Sequence, residues 1–350
     1  MTAIYSVLHM LVDGICALAM FGNYVGAADR QFTFLLYNFC AFALQMPIGV
    51  LLDFINLKYE EKQSKFSCWF ATLGVGITLL GAITHPIVLG IGNALFHVGG
   101  GVGTCKEDEA KGWNGKGLGV FVAPGALGLY LGTILAKKGV WEISLWMIAG
   151  MAVLLTSSAW SLYHKEYKKK HRGISYTTEF FMPKRQKVML IFCCFGVVIL
   201  RSYIGMEVAF SWKQIPIWGL FSVLAVVCGK VAGGFAAAKF GYCRTIVITL
   251  TVAAIGYYGL ESIPLGLVAL FAFNMTMPIT LHLVMQGLPK LPGFAFGLLT
   301  FGLFLGFLPT YFGWQLLGNG QQLGAVGSVF SMIIMLLGIR QGGVHDAVSD

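Results

Sequence analysis

The sequence predicts an all-α integral membrane protein of about twelve membrane-spanning helices, arranged as two related halves of six. The first observation is composition: 57% of the 350 residues are hydrophobic and only 11% are charged, too apolar a balance for a water-soluble surface. The second is a succession of apolar stretches of about 20 residues, the length that crosses a bilayer. The third is a string of residues that recurs at the same place in each half.

The predicted spans are separated at charged or turn-rich points. The first apolar stretch contains His9 and Asp13 and lacks both a basic lead-in and a small-residue cleavage site, so we expect a retained span rather than a signal peptide. In chain order the spans are expected near residues 3–25, 31–53, 66–84, 87–104, 116–136, 141–162, 187–206, 214–236, 244–260, 263–285, 292–313 and 322–340.

One long basic connection divides the chain nearly in half, since eight of the 24 Lys and Arg residues lie between Lys165 and Lys187. The expected domains are an N-terminal six-helix bundle over 1–163, a basic cytoplasmic linker over 164–186, a C-terminal six-helix bundle over 187–340 and a cytoplasmic tail over 341–350. Two roles stay open for the linker. It is either a solvated segment that sets orientation, or a binding site for anionic lipid headgroups or a partner.

The distribution of positive charge predicts the orientation in the membrane. With both termini in the cytoplasm, 18 of the Lys and Arg residues fall on the cytoplasmic side and four on the other side, as the positive-inside rule requires. The net charge of +9 therefore reflects topology, and we expect a lipid bilayer, not nucleic acid, as the partner. We expect a monomer in the plasma (inner) membrane. Most of the eight cysteines lie within apolar stretches, so no disulfide or structural zinc is predicted.

The recurring string marks the ends of the second and eighth spans. The first copy runs from Gly49 through Asp53 to Lys58, and the second runs from Gly234 through Gly241 to Arg244. Each copy has a helix end, a small residue, a turn and a basic residue. A glycine permits close helix approach, an aspartate can cap a helix terminus, and a glycine or an asparagine, as at Asn56 in the first copy, tolerates the positive φ of a turn.

This pattern resembles the signature loop of the major facilitator superfamily, which recurs between spans two and three and between spans eight and nine. The match is partial, because Phe54 stands where the family usually has arginine, Asn56 where it has glycine, and Ala238 where it has the second aspartate. The resemblance implies two six-helix bundles around a central cavity, and transport of a small solute by alternating access. It also implies gating roles for Gly49, Asp53 and Gly241.

The fifth span contains a run rich in glycine, Gly119-Val-Phe-Val-Ala-Pro124-Gly125-Ala-Leu-Gly128. This run looks like the antiporter motif of drug-exporting members of that superfamily, which favours export and a gating role for Pro124. Ordinary tight packing is the open alternative, because small residues four apart let helices cross closely. His9 and Asp13, together with the string from Asn93 to Gly101, look most like the fosmidomycin resistance protein group.

Polar residues occur in the four spans that line the cavity in that superfamily. Burial of a charge at the centre of a membrane helix costs at least ~2.5–3.5 kcal/mol, so such residues usually carry function. His9 and Asp13 lie four residues apart on one helix face, and a carboxylate beside an imidazole favours proton binding. We therefore expect Asp13, His97 and His9 to carry a coupling proton. The residues expected to contact substrate are Arg201, Asn93, Asn274 and His282, with Arg201 attracting an anionic or polar part.

Several alternatives stay open at this stage. His9, Asp13 and His97 form a possible three-ligand transition-metal site, although proton coupling is the leading interpretation, and no metal or other cofactor is expected. Arg201 is alternatively paired with Glu207 or Asp13 in a structural ion pair. A non-transporting membrane sensor or partner protein with the same fold is a further alternative. The sequence has no G-x-x-x-x-G-K-[ST], GxSxG or HExxH motif, so we expect neither ATP-driven pumping nor an enzyme.

Overall fold

The computed structural model describes residues 1–59, 63–169, 184–314 and 318–343. Within these residues, eleven helical stretches are long and apolar enough to cross a membrane, a twelfth apolar helix is shorter, and no strand occurs. The predicted all-α membrane fold is thus confirmed. The stretches are α1 (Thr2–Gly26), α2 (Arg30–Lys58), α3 (Lys65–Ile83), α4 (Pro86–Ala110), α5 (Lys116–Lys137), α6 (Trp141–Tyr163), α7 (Arg185–Glu207), α8 (Pro216–Phe240), α9 (Tyr242–Tyr258, the shorter one), α10 (Ile263–Gly287), α11 (Pro292–Tyr311) and α12 (Gly320–Gly342).

The end of α4 lies six residues beyond its predicted limit at residue 104. Its last turns carry charged residues that the sequence pattern assigns to a loop, and these residues make specific contacts. The Glu107 carboxylate accepts a hydrogen bond of 2.6 Å from the Thr2 amide and one of 2.6 Å from the Lys111 ammonium. It also lies 3.2 Å from the N-terminal amine of Met1. These interactions stabilise the additional turns and fix the start of α1 against the end of α4.

α1, α2, α5 and α10 contain irregular backbone. α1 and α2 each contain a π-helical segment, Ala19–Asn23 and Phe39–Ala43. α5 is interrupted at Ala123 and Pro124, and α10 is interrupted at Met275. Proline has no amide hydrogen, so Pro124 cannot continue the hydrogen-bond ladder of α5, and Pro278 cannot donate to the carbonyl of Asn274 in α10. Irregular backbone of this kind marks functional regions of membrane proteins.

The chain forms two compact units. Unit 1 comprises Met1–Gly112, Val120–Glu179 and Lys290–Thr300, and unit 2 comprises Trp113–Gly119, Phe180–Pro289 and Phe301–Asp350. Each unit therefore contains a short segment from the other half of the chain. The division into domains at residues 163 and 187 stays a prediction, and residues 170–183 of the expected linker and 344–350 of the tail lie outside the described part of the chain.

The interior and the surface of the helices are both apolar. In unit 1, the fully buried Leu52, Val98 and Val102 form a core cluster between α2 and α4. On α6, by contrast, Ile143 is 70% exposed and Trp146 is 67% exposed. Such surface is unfavourable in water and favourable in lipid, where helices satisfy their own backbone hydrogen bonds. This pattern fits an integral membrane protein.

Candidate functional site

Three titratable side chains meet in the interior of unit 1. His9 and Asp13 lie one turn apart on α1, and His97 lies on α4; all three are less than a tenth exposed. The Nε2 atom of His9 is 3.2 Å from Oδ2 of Asp13, and the Nε2 atom of His97 is 3.5 Å from Oδ1 of the same carboxylate. The two Nε2 atoms are 2.9 Å apart. We call these three residues the His–Asp–His cluster.

The orientation of both imidazoles is fixed by backbone carbonyls. His9 Nδ1 lies 2.7 Å from the carbonyl oxygen of Phe121, and His97 Nδ1 lies 2.9 Å from that of Asn93. A carbonyl oxygen only accepts, so each Nδ1 carries a hydrogen and donates it. The two Nε2 atoms then face each other and the carboxylate as acceptors. The two Nε2 atoms, 2.9 Å apart, form a hydrogen bond only when one ring gains a proton, which would make that ring an imidazolium beside the Asp13 carboxylate.

Neighbouring residues hold the carboxylate and exclude solvent. Asn93 Nδ2 donates to Asp13 Oδ1 at 3.2 Å and to the Cys16 sulfur at 3.4 Å. The ring centroids of Phe121 and Phe96 lie 5.0 Å and 6.4 Å from that of His9. These apolar walls lower the local dielectric constant, which strengthens the electrostatic interactions inside the cluster.

A glycine on α5 makes room for the cluster. A Cβ atom placed on Gly125 would collide with Oδ2 of Asp13 and with Nε2 of His9. The next small residue, Gly128, lies against the backbone of Met10 in α1 in the same way. Part of the glycine pattern in the fifth span therefore serves close packing of α5 on α1, directly after the interruption at Pro124.

The same cluster has the donor set of a metal site. One ligand atom from each of His9, Asp13 and His97 lies within 4.8 Å of the other two. Both histidines offer Nε2 while Nδ1 is held by a carbonyl, an arrangement that also orients metal-ligating histidines. Two imidazoles and a carboxylate suit transition metals. The cluster can therefore bind either a proton or a metal ion.

Unit 2 contains a buried arginine near the end of α7. Arg201 is 8% exposed, and its Nη1 donates a long hydrogen bond of 3.5 Å to the Thr280 hydroxyl of α10. No ion pair formed by the described residues includes Arg201, so the alternative of a structural ion pair with Glu207 is wrong. A charged side chain at the centre of a membrane helix costs at least ~2.5–3.5 kcal/mol without compensation, so a buried arginine in such a helix requires a partner.

The other residues of α10 that are expected to contact substrate make local contacts. Asn274 Nδ2 donates to the Leu270 carbonyl of its own helix at 2.8 Å, just before the interruption in α10. The His282 ring stacks on Tyr242 with centroids 6.0 Å apart, and its buried Nε2 has no hydrogen-bond partner among the described residues. Roles in substrate binding stay predictions for Arg201, Asn274, His282 and Asn93.

The Asp53 carboxylate binds the start of α11 within unit 1. It accepts hydrogen bonds from the backbone amides of Gly293 at 2.9 Å and Phe294 at 2.7 Å. Gly49, one turn earlier, lies so close to Gly293 that a Cβ atom would collide with the Gly293 carbonyl. Free amides and the helix dipole both favour a carboxylate at a helix N-terminus. Asp53 thus has a partner that does not depend on the missing arginine at position 54.

The structure corrects the position of the first turn. Asn56 is helical, because α2 continues through Lys58, and both side-chain polar atoms of Asn56 are buried without hydrogen-bond partners in the described residues. In the second half the turn lies at Gly241, which separates α8 from α9 with φ of +84°. Such a φ favours glycine.

The second copy of the repeat has the close packing but not the aspartate. Within unit 2, a Cβ atom on Gly234 of α8 would lie 2.7 Å from the Gly115 carbonyl, and one on Gly119 of α5 would lie 2.9 Å from the Lys230 carbonyl. The start of α5 thus meets α8 as the start of α11 meets α2. Ala238 stands where an aspartate would supply a carboxylate. Gating roles for Gly49, Asp53, Pro124 and Gly241 stay predictions.

Several of the predicted residues have hydrogen-bond partners that were not predicted from the sequence. They are the Phe121 carbonyl beside His9, the amides of Gly293 and Phe294, and the Thr280 hydroxyl. Backbone groups have no side-chain signature, and threonine is frequent in membrane helices. The position of Thr280 in the tenth span, which the resemblance predicts to line the cavity, was a signal that could have been followed.

No protein-family model and no curated protein matches the sequence. Solved transporter structures match along the whole chain. The chain is similar to the Escherichia coli fucose:proton symporter, with a TM-score of 0.62, 10% identity and 98% of each chain covered. It is also similar to the human organic anion transporter MFSD10, with a TM-score of 0.60, 12% identity, and 96% of this chain and 99% of the other covered.

A third similar structure is a bacterial homologue of the iron transporter ferroportin in its outward-facing state. Its TM-score is 0.55 at 13% identity, with 98% of this chain and all of the other covered. Identities this low establish the fold alone. The predicted architecture is confirmed, and the match to the fosmidomycin resistance protein group stays a prediction. The chain has the fold of major facilitator transporters.

Proposed function

We propose that the protein is a secondary active transporter that moves a small organic solute across the membrane by alternating access, coupled to protons. The His–Asp–His cluster carries this proposal, because its geometry suits a proton shared between two buried imidazoles. Among the proteins of similar fold, one is a fucose:proton symporter and another is an organic anion transporter. A fold alone does not determine function, so the cluster provides the argument.

The proposed cycle uses the charge of the cluster. With its proton, the cluster is neutral overall, because one imidazolium offsets the Asp13 carboxylate. Without it, one negative charge is left in an apolar environment and the Nε2 atoms of His9 and His97, 2.9 Å apart, repel each other. Release of the proton thus changes the packing against Gly125 of α5. The interruption at Pro124 gives α5 a place to bend in response.

The gates of this cycle are proposed to be the two close helix contacts. In unit 1, Gly49 and Asp53 bind the start of α11, and in unit 2, Gly234 lies against the segment before α5. Alternating access requires such contacts to form in one state and to break in the other. Arg201, Asn93, Asn274 and His282 are the proposed substrate contacts, and export is the proposed direction, as the fifth span favours.

The test is solute-driven proton movement in proteoliposomes that contain the full chain and a trapped pH-sensitive dye. Wild type is expected to move protons when a transported solute is added from a panel. Asp13→Asn and His97→Ala are expected to abolish the proton movement, because each removes part of the proton site. Asp29→Asn is the matched control, since Asp29 is exposed and caps α2 through a single hydrogen bond to Phe32. Unchanged pH dependence in the cluster variants contradicts the proposal.

A transition-metal carrier is the second candidate function, favoured by the three converging ligand atoms of the cluster. The bacterial homologue of the iron transporter ferroportin, which has a similar fold, has also been solved with soaked iron. The same proteoliposomes with a trapped metal-sensitive dye separate the candidates. Influx of Mn²⁺, Fe²⁺ or Zn²⁺ that is lost in His9→Ala supports the metal carrier. Absence of both metal and proton movement with every solute supports the alternative of a non-transporting sensor.

The proposed setting is the plasma (inner) membrane, with a monomer whose termini both lie in the cytoplasm. This orientation follows from the distribution of Lys and Arg. Single-cysteine variants in a background without the natural cysteines test it with a reagent that does not cross membranes. A cysteine at Lys137 is expected to react in intact cells, whereas one at Lys290 is expected to react only after lysis.

A further inference from the structure

We propose that Arg201 is the binding site for a carboxylate, and that the solute is therefore a small organic anion. This inference rests on the proposed transport function, since it names the substrate class of the same carrier. It is carried by an arginine that is buried in unit 2 and makes only one hydrogen bond to the residues that the structure describes.

The guanidinium group of arginine has five N–H donors and no acceptor. Arg201 uses one of them, in the bond of 3.5 Å to Thr280, which is long for an N–H···O hydrogen bond. Its side chain is nevertheless more than nine-tenths buried. Buried polar groups are nearly always paired. Four donors without a partner among the described residues, around a permanent positive charge, therefore favour an anionic partner from outside the chain.

Two acids of unit 1, the buried Asp13 and the half-buried Glu107, show how a charge is paired in this protein. The Asp13 carboxylate contacts two imidazoles and an asparagine amide. The Glu107 carboxylate contacts the N-terminal amine, Thr2 and Lys111. Among the described residues, Arg201 has no comparable set of partners. Its other polar neighbour, Cys194, is a buried free thiol two turns earlier on α7, which cannot replace a counter-ion.

The chemistry of the site favours a carboxylate over a spherical anion. The planar guanidinium presents parallel N–H donors that match the two oxygens of a carboxylate. The Thr280 hydroxyl donates to the Met277 carbonyl at 2.9 Å, so it faces Arg201 as an acceptor. This contact orients one edge of the guanidinium towards α10 and leaves its other donors for the ligand.

The experiment measures thermal stabilisation of the full-length protein, purified in detergent, by carboxylates and by their amides. Each pair has nearly the same shape but only one member is charged, as in acetate and acetamide, pyruvate and pyruvamide, or benzoate and benzamide. All samples have equal ionic strength, adjusted with chloride, and inorganic phosphate is an additional arm. At least one carboxylate is expected to raise the unfolding temperature in a saturable manner, and its amide is not.

The variants assign the effect to Arg201. Arg201→Gln is expected to weaken carboxylate binding by about 10- to 100-fold, the loss typical of a hydrogen bond to a charged group. Arg201→Lys keeps the positive charge but lacks the planar guanidinium with its parallel N–H donors, so this variant is expected to bind the carboxylate with intermediate affinity. Arg340→Gln is the matched control, because it removes the same charge from an exposed position at the end of α12. This variant is expected to bind carboxylates as the wild-type protein does. If the glutamine variant does not fold, the lysine variant alone provides the test.

The outcomes separate this inference from the proposed transport function. Equal stabilisation by carboxylates and amides, or by chloride or phosphate alone, overturns the inference, as does full carboxylate binding in the Arg201 variants. Proton-coupled movement of neutral solutes that is insensitive to Arg201→Lys also overturns it, while the transport function survives. Carboxylate binding that depends on Arg201 in a protein that moves no solute supports the anion site and contradicts transport.

Discussion

Asp53→Asn is the most direct perturbation of the contact between α2 and the start of α11. In the wild-type protein the carboxylate accepts two hydrogen bonds, from the amides of Gly293 at 2.9 Å and Phe294 at 2.7 Å. Asparagine at this position has nearly the same volume and keeps one neutral acceptor oxygen. The substitution therefore removes the charge and one acceptor without creating a cavity.

The expected loss follows from these two interactions. A hydrogen bond to a charged group contributes about 1.5–3 kcal/mol, and a carboxylate at a helix N-terminus contributes a further ~0.3–1 kcal/mol through the helix dipole. Because Asp53 is almost fully buried, water screens the contact little. We expect a total loss of about 2–3 kcal/mol, which changes the equilibrium between the bound and the released start of α11 by about 30- to 150-fold.

Hydrogen–deuterium exchange of the peptide that covers residues 290–300 measures this change directly. Protection of the Gly293 and Phe294 amides is expected to fall by that factor in Asp53→Asn. Asp29→Asn is the control, since Asp29 caps the exposed start of α2 through Phe32; it is expected to leave this peptide unchanged. Protection of residues 290–300 within threefold of wild type in Asp53→Asn would refute the proposed contact.

Two further predictions concern packing and are measured by thermal unfolding in detergent. Gly128→Val is expected to lower stability by more than about 1–3 kcal/mol, because the added atoms meet the backbone of α1 rather than a movable side chain. Gly150→Ala places a Cβ atom with no other atom within 4 Å, so it is expected to be neutral or slightly stabilising. Trp212→Phe is expected to cost about 1–3 kcal/mol, since it leaves a buried carbonyl without the indole hydrogen bond of 2.8 Å. Equal effects of the two glycine substitutions, or no effect at Trp212, would contradict these arguments.

Composition and apolar length predict this fold well because lipid imposes a simple rule. Every backbone polar group must be satisfied inside its own helix, so a span must be apolar and about 20 residues long. The errors occur where a helix continues past its apolar part. The last turns of α4 are charged, but the contacts of Glu107 with Thr2 and Lys111 stabilise them. Hydropathy does not detect such contacts.

The candidate site was predictable only in part. The pair His9 and Asp13 follows from helical spacing, and His97 follows from the resemblance to a family. The partner of Asp53 could not be predicted, because it consists of backbone amides 240 residues away in the sequence. The turn expected at Asn56 was wrong since asparagine tolerates a helix as well as a turn, and nothing in its identity decides between them.

The two copies of the repeat differ in the strength of the contact that each makes. The start of α11 meets both a glycine backbone and a buried carboxylate on α2, whereas the start of α5 meets α8 through glycine packing, and Ala238 supplies no carboxylate. Charge-assisted hydrogen bonds are about twice as strong as neutral ones. In the proposed cycle, the contact within unit 2 therefore opens at lower cost than that within unit 1. α5 also lies against the His–Asp–His cluster through Gly125. The weaker of the two contacts, between the start of α5 and α8, therefore involves the same helix that proton release from the cluster would move.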